Sequence, residues 1–503
     1  MKASSLCPSR KSSGPIDSCS LLLVACLFLC GISSATPCIT LSKKSGPPTS
    51  QILVSGRGFE PNVGVDIYFD TKDESLVVTN GKGEFKDAKA HAPRSARPGQ
   101  HWVTALERNN DKGAQKPFLV QTDWTQFHFD ADGTRLNPYE NVLNPKTVPG
   151  LDLKWSYLTK EASACSPAVA EGVVYCTGSG FDDHVYAINA QTGALLWSKA
   201  TNGWTGGSFA VADGVAYFGS SDNNLNALNA HTGALLWRYK TGGFPSSPAV
   251  VNGVVYVGSG DGNLYALNAH TGAKLWSYTT GGLVQSSPVV TDGMVYFGSA
   301  DYNVYALQAS DGTLIWRYKT GNWAGDLAVT GGVVYATSQD DNVYALNASN
   351  GGKLWSFTTG KLIQSAPAVA DGVVYVGSDD NNLYALNART GAVRWNKFIG
   401  LPSSAAVANG VVYVASTYAT MYALDARTGA ELWSYSTGDV IYSDPTIVNG
   451  VLYFGSYDAH IYACSLKYRS AEAKSASKRP DLNTLRPDFK LKVSEPVATA
   501  SPH

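Results

Sequence analysis

The chain has 503 residues, 44% of them apolar and 16% charged, and its 39 Lys and Arg against 40 Asp and Glu leave a net charge of −1. Such a chain can bury a large core, and its neutrality excludes nucleic acid as the main partner.

The N-terminus carries Lys2, Arg10 and Lys11, then an apolar run from Leu21 to Ile32, then Ser33-Ser34-Ala35. Charge, a short apolar stretch and small residues in that order predict a secretory signal over residues 1–35, cut after Ala35. The run is short for a membrane span. Leu23-Val24-Ala25-Cys26 also resembles a lipoprotein cleavage box, which would place a lipid on Cys26. The expected location is therefore outside the cell or in its envelope. Residues 39–122 show short strands with Gly and Pro turns, such as Ile52-Leu53-Val54-Ser55-Gly56 and Val65-Asp66-Ile67-Tyr68-Phe69, and predict a small Ig-like β-sandwich. Residues 123–150, rich in Asn, Asp and Pro, read as a linker laid against the domain C-terminal to it.

From residue 151 a repeat sets in. Trp155, Trp197, Trp237, Trp276, Trp316, Trp355, Trp395 and Trp433 are spaced by 38 to 42 residues. Each unit holds four β-branched or aromatic runs separated by three turn signals, as in residues 246–278. The first turn is an Asn-Gly or Asp-Gly pair such as Asn252-Gly253, which favours a type I′ hairpin. The second is Gly-Ser-x-Asp-x-Asn, and the third is the Thr-Gly of Ala-x-Thr-Gly-Ala. Four strands per 40 residues, with no helical period, predict an all-β chain whose residues 151–468 form a β-propeller. Eight Trp strands and eight hairpins run out of phase, so the strand around Trp155 is expected to complete the last blade and close an eight-bladed ring. The polar tail, residues 469–503, predicts disorder.

The unit Ala-Leu-Asn-Ala-x-Thr-Gly-Ala-x-x-Trp resembles the docking signature of PQQ-like repeats, those of quinoprotein dehydrogenases, over about residues 151–467. The resemblance implies that the eight tryptophans pack between blades. It also implies one of two branches, the quinone-dependent dehydrogenases or non-catalytic propellers of the BamB type. A quinone site would need a vicinal cysteine pair, a Trp beneath the cofactor, a calcium held by Glu and Asn, a catalytic Asp and a basic residue. The chain has no Cys-Cys dipeptide.

The innermost strands are expected to begin at Cys165, Gly207, Ser246, Ser286, Gly325, Ser365, Ser403 and Ser443, all small, as close approach to a central axis requires. At the next position only Asp326 and Asp444 are acidic. No Lys or Arg joins them, so they read as solvated channel acids, the alternative being a weak cation or sugar contact. The loops entering the pore mouth carry Trp204, Phe244, Trp323, Ile363, Ile441 and Tyr442, which read as an apolar binding rim or as an inward plug. Cys165 and Cys176 lie on adjacent strands of one hairpin and could form a disulfide in an exported protein, whereas burial as small apolar residues is the blander reading for Cys176 and Cys464. Asp130-Ala131-Asp132-Gly133 reads as a turn. Together these features predict a non-catalytic, monomeric scaffold without a cofactor or metal site that binds an envelope protein or glycan through its rim. The alternatives are a dehydrogenase using PQQ with calcium, and a carbohydrate-binding module with Trp204 and Trp323 as stacking platforms.

Overall fold

The computed structural model describes residues 36–110, 112–162, 165–178, 182–205, 207–467, 479–482 and 485. The expected signal segment, residues 1–35 with Cys26, lies outside them. The chain divides into two compact units, one of residues up to Gln121 together with the C-terminal piece, the other beginning at Thr122.

In the first unit, strands Cys38–Leu41, Gln51–Arg57 and Phe85–His91 form one sheet, while a second sheet of five strands runs from Ser45–Gly46 to Lys72–Val78 with Gly99–Glu107 near its centre. Alternate residues of Gln51–Arg57 are buried, the period of two that a sheet with one wet face imposes. Ile52, Val54 and Phe85 of the first sheet meet Val65, Ile67 and Phe118 of the second in one core, so the unit is a β-sandwich. Part of the expected disordered tail belongs to it. Leu482 and Leu485 pack on Tyr68 and Leu106, Gln115 donates to the Pro480 carbonyl at 3.0 Å, and the Arg479 guanidinium lies 5.6 Å over the Trp102 ring. Two leucines three residues apart supply enough local burial to order this piece, although the composition of the whole tail is polar.

In the second unit each repeat forms a four-stranded antiparallel sheet, of which Ala249–Val251, Val254–Gly258, Asn263–Asn268 and Lys274–Thr279 are an example. Asn252 and Gly253 have φ of 51° and 75°, the geometry a type I′ turn requires. Eight such blades succeed one another, and their innermost strands are neighbours in cyclic order, with that of blade one (Ala168–Ala170) beside that of blade eight (Thr446–Val448). The ring closes because strand Leu151–Leu158 pairs antiparallel with His460–Leu466, setting Trp155 opposite Ala463. Both ends of the repeat array thus share blade eight, which is completed to four strands like the others.

One contact recurs between blades. The Trp276 indole donates to the Ala309 carbonyl of the next blade at 3.0 Å, and the Tyr256 hydroxyl donates to the same oxygen at 3.2 Å. The ring of Trp276 also lies against Gly312, whose φ is +76° and whose missing Cβ would stand 2.6 Å from the indole. The Gly at this turn, whether it follows Thr, Asp or Asn, is therefore fixed twice, by backbone conformation and by the neighbouring Trp. At the closing interface Trp433 donates instead to the Leu151 carbonyl at 3.1 Å. There the buried Tyr413 hydroxyl has no partner among the described residues, a local cost of building blade eight from both ends of the chain.

Candidate binding cup

The innermost strands of a propeller turn their free edges toward the axis, where eight rows of backbone groups need partners. Residues 124–137 supply them. Val211 donates to the Thr125 carbonyl, Val250 to the Gln126 side chain, Val290 to Ala131, Val329 to Asp132, Val369 to Thr134 and Val407 to Arg135, while Trp124 exchanges two bonds with Val169 and Asn137 donates to Ile447. In fourteen residues the chain touches all eight blades in order. The expected linker is thus a floor built across the channel. Its Asp130-Ala131-Asp132-Gly133 stretch is the expected turn, closed by Thr134 on the Asp130 carboxylate at 2.7 Å, and a Cβ on Gly133 would stand 2.6 Å from Val289.

About 10 Å nearer the mouth, three residues up each strand, runs a belt of hydrogen bonds. In five of the eight blades the side chain at the position following the strand start accepts the backbone N–H of the same position in the preceding blade. Ser208 donates to Ser247, Ser287 to Asp326, Ala366 to Ser404, Ser404 to Asp444 and Asp444 to Ser166, at 2.6–3.0 Å. Asp326 and Asp444 occupy belt positions where five of the other six blades have serine and one has Ala366, so their first role is to cap a neighbour's backbone.

They are not the solvated, cation-free pair the sequence suggests. Arg135, 1% exposed, rises from the floor. It donates to the carbonyls of Ala405 (2.7 Å) and Phe127 (3.1 Å), and its Nη1 lies 3.5 Å from the Asp444 carboxylate. Burial pushes Asp444 up from the ordinary carboxylate range, with Arg135 opposing, and burial pushes Asp326 up to about 6. Arg135 is missed by sequence reading because it stands outside the repeat.

The buried acid makes stability depend on pH. Between about 4 and 6 the folded protein holds a proton on Asp326 that the unfolded chain releases, so this group adds stability as pH falls. His128 in the floor titrates the opposite way, since burial and then Arg135 hold it well below its ordinary value. The clean readout is a difference: the melting temperature of wild type minus that of Asp326→Asn should rise from pH 7.5 to pH 5. A constant difference would refute the burial of that charge.

The walls above the belt end in aromatics. Trp204 and Phe244 stack with centroids 4.9 Å apart, and Tyr442 meets Tyr457 edge-on at 5.2 Å. Trp204 is 46% exposed and Tyr442 54%. Ile363 and Ile441, expected on the same rim, are each 1% exposed and sit in the cores of neighbouring blades, as the inward alternative would have it. Trp323 is exposed but does not line the cavity. The result is a cup of about 840 Å³, with Phe127 in its floor, serines, Asp326 and Asp444 on its wall and aromatics at its mouth.

Several other candidates fall outside the cup's chemistry. Trp155, Trp197, Trp237, Trp276, Trp316, Trp355, Trp395 and Trp433 all donate to interblade carbonyls. Cys165 and Cys176 are joined as a disulfide with Cα atoms 5.5 Å apart, beside belt residue Ser166, where the blander reading left Cys176 unbridged. Cys464 is buried in blade eight, which pushes its thiol up to about 12. The Asp182, Asp183 and His184 cluster repeats a blade turn, with Asp182 accepting from Tyr186 as Asp261 accepts from Tyr265.

The residues of the cup do not fit a quinone with calcium. Among the described residues its lining holds no cysteine, Glu or Asn, its only carboxylates are Asp326 and Asp444, and the guanidinium of Arg135 already faces Asp444. An anionic cofactor would meet like charge at the wall.

Fold and repeat together define a multi-bladed β-propeller of PQQ-like repeats. The family model described as outer membrane protein assembly factor BamB matches residues 152–248, 240–322, 304–405 and 397–471, and the chain belongs to that family. No curated protein matches it. Among solved structures, BamB from Moraxella catarrhalis is 20% identical with a TM-score of 0.55, covering 63% of this chain and 99% of that one. Quinohemoprotein alcohol dehydrogenase from Comamonas testosteroni is 17% identical with a TM-score of 0.60, covering 69% and 81%. The computationally designed Ika8 protein is 16% identical with a TM-score of 0.56, covering 61% and 98%. An assembly factor, an enzyme and a designed protein share this fold, so function must be argued from the site.

Proposed function

We propose that the protein is an exported, non-catalytic propeller that binds a partner protein of the cell envelope through the mouth of the cup, with the N-terminal sandwich as an Ig-like spacer. The observation that carries this reading is the blind cup. A floor hydrogen-bonded to every blade makes it a receptacle, and its exposed aromatic pairs are the residue types that anchor interfaces. The family name, an assembly factor for outer membrane proteins, points the same way. Among the described residues no helix is long and apolar enough to cross a membrane.

The test is a double variant, Trp204→Ser with Tyr442→Ser. Capture of envelope protein by the purified chain, followed by mass spectrometry, should lose its specific partner, while the melting temperature stays within a degree or two because exposed side chains contribute little to stability. Undiminished capture by the double variant would overturn the reading.

A further inference from the structure

Within the same cup the charged groups are few, and one of them lacks a close counter-charge. The serine hydroxyls are largely engaged. Ser247 caps Ser208, Ser166 caps Asp444, Ser246 accepts from Gly258 at 3.0 Å, and Ser287 bonds Asp326. Among the described residues the Asp326 carboxylate receives hydrogen bonds from Ser287 alone, and the guanidinium of Arg135 pairs with Asp444 and attracts Asp326 only from beyond ion-pairing distance. One carboxylate thus lines the cavity without a counter-charge in contact, below aromatic faces whose π-clouds attract positive charge. The cup's acids and bases, Asp326 and Asp444 against Arg135, sum to one negative charge.

We infer that the cup is a receptor for an organic cation, the ammonium or guanidinium end of a lysine- or arginine-like group, held between the Trp204–Phe244 and Tyr442–Tyr457 pairs with its charge on Asp326. This deepens the binding reading by naming what the partner inserts. Partial burial pushes the Asp326 carboxyl up to about 6, and an incoming cation would offset the cost of ionising it. The same chemistry could arrive as a side chain of a partner or as a free amine.

The probes are Nα-acetyl-lysine amide, Nα-acetyl-arginine amide, spermidine and choline, with Nα,Nε-diacetyl-lysine amide and methyl glucoside as neutral controls, titrated into the full chain by calorimetry at pH 7.5. At least one cation should bind. Both neutral controls should bind at least tenfold more weakly, Asp326→Asn should lose at least tenfold, and wild type should lose a similar factor at pH 5, below the value of about 6 to which burial pushes Asp326. Preference for the two amino-acid amides assigns the cation to a partner's side chain, and preference for spermidine or choline assigns it to a free amine. The pH series on wild type guards against a misfolded variant. Equal binding of the diacetyl analogue or the glucoside, binding unchanged at pH 5, or no binding of any cation would overturn the inference. The outcome is separable from partner capture: rim-dependent capture without cation binding sinks only this proposal, and cation binding with undiminished capture by the double variant sinks only the other.

Discussion

Trp276→Ala should destabilise the propeller by about 3–5 kcal/mol, the range for large aromatic truncations at well-packed sites. The cost comes from packing more than from the lost hydrogen bond, because the Ala309 carbonyl keeps the Tyr256 hydroxyl as donor. Gly312→Ala should also destabilise, since its φ of +76° disfavours a side chain and the new Cβ would press on the indole at 2.6 Å. Combining the two removes the clash while leaving the backbone strain, so the double variant should be less destabilised than the sum of the singles. Denaturant melts of the three variants measure this. Trp276→Ala melting like wild type, or strictly additive losses, would show that the blades dock through something other than this contact.

The parts of the molecule legible in the sequence are those whose causes are local and repeated. A positive φ at Asn252-Gly253 and at Gly312 leaves a mark on residue type, and a Trp every 40 residues fixes which strand lies outermost. The site is harder to read because its causes are not local. Residues 124–137 have no period of their own. Their conformation is imposed by the free edges of eight distant strands, and nothing in Phe127 or Arg135 taken singly announces this. Asp326 and Asp444 look like departures from a serine position and hence like a function. In the fold they first continue the serine's work as acceptors, and only the contrast between a paired and an unpaired carboxylate separates them. Apolar character alone could not tell Ile363 and Ile441, which turn into blade cores, from Trp204 and Tyr442, which stay at the mouth; size and the polar ring edges of Trp and Tyr decide that.

Arg135→Met should cost about 3–5 kcal/mol at pH 7.5, because it leaves the buried Asp444 carboxylate without its counter-charge. The carbonyls of Ala405 and Phe127 lose their donors at the same time. Two further measurements distinguish charge from shape. At pH 5 the loss should shrink, since burial already raises Asp444 and removal of the opposing guanidinium lets it take up a proton more readily. Adding Asp444→Asn should recover part of the stability even at pH 7.5, because the amide oxygen can still accept the Ser404 N–H that closes the belt. A single variant as stable as wild type would mean that the floor is held by backbone pairing alone. A double variant no better than the single would mean that Arg135 matters through the carbonyls it caps, and that the charge of Asp444 is already balanced without it.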